Sequence, residues 1–229
     1  MRICLIGGSG KMGLEIFNII KNSTELMHSG SINQNTKDTE ANNYLNNSDM
    51  VIDFSLPHST LKYISIAVDK NLPYVIGTTG FTAEEQYIIE QAAEKIPIVK
   101  SGNMSLGINL LAKLVEQAAS VLALKYNFDI SICEMHHKYK VDKPSGTALL
   151  LGEAAKEAKK DANIEYNSMR GGTVIGDHEV VFAGDNERIV LSHLAQDRKI
   201  FAIGAIKAAL WLAGQKPGLY NMKHVLNLI

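Results

Sequence analysis

Short apolar runs and amphipathic stretches alternate along the first hundred residues. Arg2–Ile6, Met50–Phe54, Pro73–Ile76 and Ile96–Lys100 are apolar runs of strand length, and Leu26–Ile32 is a weaker one interrupted by Gly30. Between them, Met12–Lys21, with Leu14, Ile16, Phe17, Ile19 and Ile20, and His58–Lys70 read as helices. Thr82-x-x-Glu85 is a capping box, in which a hydroxyl and a carboxylate close orphan amides of a helix running to about Lys95. Continuous apolar strands alternating with helices predict a parallel sheet covered on both faces. The asparagine-rich stretch 33–49 has no periodicity and reads as a loop with one helical turn or none.

Beyond residue 105 the pattern changes. Leu106–Leu124 predicts a long helix with Ile108, Leu111, Leu114, Val115, Ala118, Val121 and Leu122 on one broad face. Phe128–Glu134 reads as a strand, Gly146–Lys160 as a helix, and His178–Phe182 with Arg188–His193 as a strand pair around Gly184-Asp185-Asn186. That mixture has α+β character with an open sheet. An apolar helix over Ile200–Ala213 is expected to return to the first domain. The boundaries are therefore 1–105 plus 199–229 for a parallel-sheet domain, and 106–198 for a smaller α+β domain.

Composition narrows the function. The chain of 229 residues is 46% hydrophobic and 21% charged, with a net charge of −1, so no broad basic field favours nucleic acid and any anion site must be local. Cys4 and Cys133 sit in strand-like runs and are expected to be reduced core residues, not a disulfide or metal site. The N-terminal run breaks into glycines too soon for a signal peptide, and no apolar run approaches the roughly 18 residues of a membrane span. A cytoplasmic protein without a membrane partner is expected.

Two segments carry candidate chemistry. Gly7-Gly8-Ser9-Gly10-Lys11-Met12-Gly13 follows the first strand and opens the first helix. Its glycines permit a tight turn and close approach of a pyrophosphate to the helix N-terminus, which points to a Rossmann-like dinucleotide-binding domain. No carboxylate follows the second strand; Ile32, Asn33, Gln34 and Asn35 stand where an acidic residue would take the ribose hydroxyls. Asn33 or Gln34 could bond the ribose and Lys11 or Lys37 could face a 2′-phosphate, so both NADH and NADPH are expected to serve.

The second segment is EMHHKYKVDKPSGTA, Glu134 to Ala148. It combines His136 and His137, Lys138, Lys140 and Lys143, and a Ser145-Gly146-Thr147 turn before a helix. Histidine moves a proton near neutral pH, lysine binds carboxylates as a point charge, and a helix start offers amides to an anion. The loop suits a small substrate with more than one carboxylate. Metal binding has little support, because adjacent histidines lack distant partners.

Glu134-x-His136-His137-x-x-Lys140-Val141-Asp142-x-Pro144-Ser145-Gly146-Thr147-Ala148 resembles the signature of the dihydrodipicolinate (4-hydroxy-tetrahydrodipicolinate) reductase family. The resemblance extends from Gly7 to about Leu226. It implies NAD(P)H-dependent reduction of a cyclic dicarboxylate in lysine and diaminopimelate biosynthesis. By the motif match, His136 is the acid–base residue, Lys140 anchors a carboxylate and assists catalysis, and His137, Ser145, Gly146 and Thr147 line the substrate pocket. Glu134 is expected to orient a histidine or form a local ion pair. The resemblance further implies cofactor contacts from Gly7, Gly8, Gly10, Lys11, Met12, Gly13, Asn33 and Phe54, from Gly77-Thr78-Thr79, and from Ser101, Gly102 and Met104. His193-x-Ala195-x-x-Arg198 matches a segment near an interdomain hinge, and closure about that hinge is expected. The family is usually homotetrameric, which the open sheet of the smaller domain favours.

Overall fold

The structure, a computed structural model, describes residues 1–229. It divides into two compact units, one of Met1–Ser105 with Lys199–Asn227 and Ile229, the other of Leu106–Arg198 with Leu228.

The first unit begins β1 (Arg2–Ile6), α1 (Lys11–Lys21), β2 (Met27–Ile32), α2 (Asp38–Asn46), β3 (Met50–Asp53), α3 (Pro57–Asp69), β4 (Tyr74–Ile76), α4 (Ala83–Ala93) and β5 (Pro97–Lys100). All four residues of β3 and all three of β4 are buried, as strands covered on both faces must be. Thr82 and Glu85 close the capping box at the start of α4. The stretch 33–49 departs from expectation: α2 is a nine-residue helix. Its apolar stripe is Ala41 and Leu45, four apart and buried, with Tyr44 packed beside them, so packing rather than composition makes it helical.

The second unit holds α5 (Leu106–Ala118), which runs through a π-helical turn at Ala119–Ala123 into the short α6 (Leu124–Tyr126). These 21 residues are long and apolar enough to cross a membrane by composition, which corrects the expectation that no run approaches that length. Ile108, Leu111, Ala112, Val115, Ala119 and Ala123 nevertheless face the core of their own unit. There follow β6 (Asp129–His136), α7 (Gly146–Ala158), β7 (Ile164–Arg170), β8 (Gly176–Ala183) and β9 (Arg188–Ala195). They form a four-stranded sheet in the order β7-β6-β8-β9, with β6 and β7 parallel and the other pairs antiparallel. Strand β7 was not expected. Its alternation is mostly polar, and only Ile164 and Tyr166 pack on the helical core.

The chain re-enters the first unit with α8 (Lys199–Leu212), β10 (Gly218–Tyr220) and α9 (Met222–Val225). Helix α8 packs against α1 and the strands β3, β4 and β5. Strand β10, also unforeseen, adds in parallel to β5 and completes a six-stranded parallel sheet, β10-β5-β4-β3-β1-β2. Strand order reverses between β1 and β3, which makes the C-terminal ends of these strands a binding crevice by topology. Cys4 is buried and Cys133 half-buried, both free thiols; the second stands on the face of the smaller sheet away from the helices and so is not a core residue.

Candidate active site

At the crevice of the first unit the loop after β1 is held by backbone geometry. Gly7 has φ +78°, and a Cβ there would stand 2.4 Å from the Phe54 carbonyl oxygen. Gly10 N–H donates to the Gly7 carbonyl (3.0 Å) and caps α1 without a side chain, leaving the helix start open to an anion. Ser9 N–H donates to Asn33 Oδ1 (2.8 Å), so Asn33 braces the loop and retains its amide NH2. A cavity of about 520 Å³ is lined by Gly7, Gly10, Asn33 and Phe54 together with Ser9, Gln34, Thr36, His58 and Lys62. Lys62 pairs with Asp38 at 2.7 Å.

A second cavity, about 460 Å³, opens at the ends of β4, β5 and β10 and is lined by Thr78, Thr79, Ser101 and Gly102 with Lys100, Tyr220 and Asn221. Asp53, fully buried, organises the ground between these regions. It accepts hydrogen bonds from Ser55 Oγ (2.6 Å), Tyr74 Oη (2.8 Å) and Thr78 Oγ1 (3.2 Å). Burial raises its pKa despite these donors. The other expected cofactor residues line neither cavity. Gly8 and Gly13 are packed against Ser31 and the loop backbone, Gly77 lies against the Phe54 ring, and Met104 is 2% exposed. Lys11 and Met12 open α1 outside the cavity linings.

On the second unit, β6 alternates so that Ile130, Ile132, Glu134 and His136 are buried on one face. The apolar pair sits in the core and the polar pair continues the same row past it. Register places Arg170 of β7 beside His136 and His178 of β8 beside Glu134. Glu134, 1% exposed, accepts from Nδ1 of His136 and from both terminal nitrogens of Arg170, each at 2.8 Å. Burial is the largest influence on Glu134 and raises its pKa, but donors from Arg170, Ser168 and His136 outweigh it and hold the carboxyl at about 2. An ionised carboxylate only accepts, so the proton between the two residues belongs to His136 Nδ1.

Burial acts most strongly on His136 and lowers its pKa; Glu134 opposes that effect, and Lys140 and Arg170 reinforce it. His178, 3% exposed, stacks edge-on to His136 at 5.1 Å between centroids. Its pKa falls to about 4, through burial first and His136 next. Ser145 is the N-cap of α7: its Oγ accepts from Ala148 N–H (3.1 Å) and is hydrogen-bonded to His178 Nε2 (3.1 Å). His178 Nδ1 is buried without a partner.

Lys140 Nζ lies 2.8 Å from Asp142 Oδ1, and Gly146 at the start of α7 has open space beside it. His137, one residue past the strand, keeps a buried Nδ1 without a partner. The structure thus brings His136, Ser145 and His178 together, with Lys140 close enough to act on His136 electrostatically. Sequence reasoning missed Arg170 and gave His178 no role. The available signal was the period-two run ending at Arg170, facing a strand that ends in a histidine.

A six-stranded parallel sheet with a glycine-bent loop at its switch point, joined to a unit bearing a carboxylate-held histidine, defines an oxidoreductase of the Rossmann-like class. The family model described as "Dihydrodipicolinate reductase, N-terminus" matches residues 1–104 and that described as "Dihydrodipicolinate reductase, C-terminus" matches residues 107–226, and the chain belongs to this family. A 4-hydroxy-tetrahydrodipicolinate reductase of Bartonella quintana (strain Toulouse) is 43% identical, the alignment spanning 100% of this chain and 98% of the relative. That alignment occupies 267 positions, more than the 229 residues here, so the relative has segments without a counterpart in this chain. A 4-hydroxy-tetrahydrodipicolinate reductase 1 of Mesorhizobium japonicum is 52% identical over 79% of this chain and 72% of the relative. Among solved structures, dipicolinate-bound dihydrodipicolinate reductase from Paenisporosarcina sp. TG-14 has the same fold, with TM-score 0.82, 22% identity, and coverage of 96% and 97% of the two chains.

Proposed function

We propose that the chain reduces the dehydrated form of 4-hydroxy-tetrahydrodipicolinate to tetrahydrodipicolinate, in lysine and diaminopimelate biosynthesis, using NADH or NADPH. The observation that carries the reading is the buried His136, tied by Nδ1 to an ionised Glu134 beside the N-terminus of α7. A small cyclic dicarboxylate matches the local excess of donors and cations around it.

The first unit fits a dinucleotide, because the space a Gly7 Cβ would need is already taken by backbone and the Gly10 helix start is uncapped. Gly7, Gly8, Gly10, Lys11, Met12 and Gly13 would shape and charge the pyrophosphate cradle, and Asn33 and Phe54 the adenosine side. Gly77, Thr78, Thr79, Ser101, Gly102 and Met104 would form and back the nicotinamide side. Bound, the dinucleotide supplies the hydride from nicotinamide C4. The absence of a carboxylate at Asn33–Asn35 directly after β2, with His58 and the Asp38-paired Lys62 in the cavity wall, supports use of either nucleotide.

His136 delivers the balancing proton from Nε2, the ring nitrogen not held by Glu134. Burial disfavours imidazolium in the free protein, and two arriving substrate carboxylates restore it by charge. Lys140 would exchange Asp142 for a substrate carboxylate and stabilise negative charge developing in the ring. Ser145, Gly146 and Thr147 present helix-start donors to the other carboxylate, and His137 closes the pocket side.

The assembly that fits this fold is a cytoplasmic homotetramer without nucleic-acid or membrane partners. Exposed Met169, Val190 and Leu194 on the smaller sheet support association through that unit. The test is steady-state oxidation of NADH and NADPH with freshly generated 4-hydroxy-tetrahydrodipicolinate present or absent. Substrate-dependent oxidation is expected; nucleotide binding without turnover would mark a nucleotide sensor instead.

A further inference from the structure

We propose that Glu134 and Arg170 are positioning residues: Arg170 locks the Glu134 carboxylate, which holds His136 by Nδ1, and the same guanidinium fastens the loop that carries Lys140. The inference rests on His136 acting as proton donor. Arg170 uses its full fork. Its terminal nitrogens donate to the two Glu134 oxygens, both at 2.8 Å; Nε donates to the Lys140 carbonyl (3.3 Å), and a terminal nitrogen also to the Asp142 carbonyl (2.5 Å). With its side chain 8% exposed, the guanidinium has exchanged water for these acceptors.

A planar five-donor group can serve carboxylate and loop together, whereas an ammonium cannot reproduce that geometry. Gly176 on β8 completes the arrangement. A Cβ there would stand 2.9 Å from His136 Nε2, so glycine keeps the reactive nitrogen clear. The charged and titratable groups facing His136 are Glu134 on its own strand, Arg170 from β7, His178 from β8 and Lys140 from the following loop. Glu134 is the one anion among them, so in the free protein only its charge favours the imidazolium.

The sign of the pH effect follows. A proton donor is active while protonated, so activity falls as pH rises through the His136 pKa. Loss of the Glu134 charge lowers that pKa and moves the fall to lower pH. The experiment records pH profiles of kcat and kcat/KM for the full-length wild type, Glu134→Gln, Glu134→Gln/Arg170→Met, Arg170→Lys and His136→Gln. Thermal melting and nucleotide binding check folding; the double variant removes both buried charges at once, which avoids stranding one.

In Glu134→Gln the basic limb should move by about one pH unit to the acid side, with part of the activity recovered there; in the double variant, loss of the Arg170 charge offsets part of that shift, so the limb moves less in the same direction. Nucleotide affinity should be unchanged. Arg170→Lys should keep the limb near its wild-type position and raise substrate KM about tenfold, through the released loop. A folded Glu134→Gln variant with an unmoved limb, a double variant whose limb moves to the alkaline side, or Arg170→Lys with unaltered KM, overturns the proposal. Full activity in His136→Gln would instead remove the proton-donor reading on which it rests.

Discussion

His178 gives the protein a built-in sensitivity to acid that can be worked out from its surroundings. It is 3% exposed, its Nε2 is hydrogen-bonded to Ser145 Oγ, and its pKa lies at about 4 against an ordinary 6.5, lowered first by burial and then by His136. The unfolded chain takes up a proton that the native state resists. The contribution is fully present above pH 6.5 and lost as pH falls towards 4. The difference is worth about 3 kcal/mol. Against a typical domain stability of about 5–15 kcal/mol, that is a large fraction. Glu134 works in a lower window, from 4.5 down to about 2, so the two effects separate. A His178→Gln variant retains a hydrogen-bonding side chain beside Ser145 but cannot titrate. Urea unfolding followed by far-UV circular dichroism at pH 7 and pH 4.5 should show the wild type losing about 2–3 kcal/mol more than the variant between the two conditions. Parallel losses would refute the reasoning, because His178 would then be taking up its proton in the folded state without cost.

Other consequences follow from the same geometry. His136→Gln should lower kcat by about 100-fold or more while leaving nucleotide Kd within about twofold, and unchanged turnover would remove it as proton donor. Lys140→Ala should reduce turnover and raise substrate KM together, measured by steady-state kinetics, since it both anchors and stabilises developing charge. Gly7→Ala places a Cβ 2.4 Å from the Phe54 carbonyl at positive φ, and should weaken NADH and NADPH binding in fluorescence titrations by at least about tenfold. Leu45→Ala should cost about 2–5 kcal/mol in chemical unfolding, because Leu45 is the fully buried anchor of α2.

The parallel sheet was legible because its strands are buried on both faces and read as unbroken apolar runs, as in Met50–Asp53. The long helix α5 showed through Ile108, Leu111 and Val115, although Leu114 and Val121 of the expected face are exposed, and the α4 start showed through Thr82 and Glu85. Helix α2 was hidden because its packing rests on Ala41, Tyr44 and Leu45 set among asparagines that prefer turns. Strands β7 and β10 were hidden for another reason: short or mostly polar, they are defined by pairing with β6 and β5 rather than by their own pattern. In the site, His136, Lys140 and the Ser145 cap could be seen because they share one contiguous segment. Arg170 lies 36 residues from the Glu134 it grips, and no local spacing records a contact made by register between strands.

The account turns on a doubly charged heterocycle seated against His136, Lys140 and the start of α7. Crystals grown with pyridine-2,6-dicarboxylate and NADH test this directly. The account predicts one carboxylate on the Ser145–Thr147 helix start and the other on Lys140 Nζ, with His136 Nε2 facing the ring. Ligand density elsewhere on the chain, with Lys140 still paired to Asp142, would contradict it.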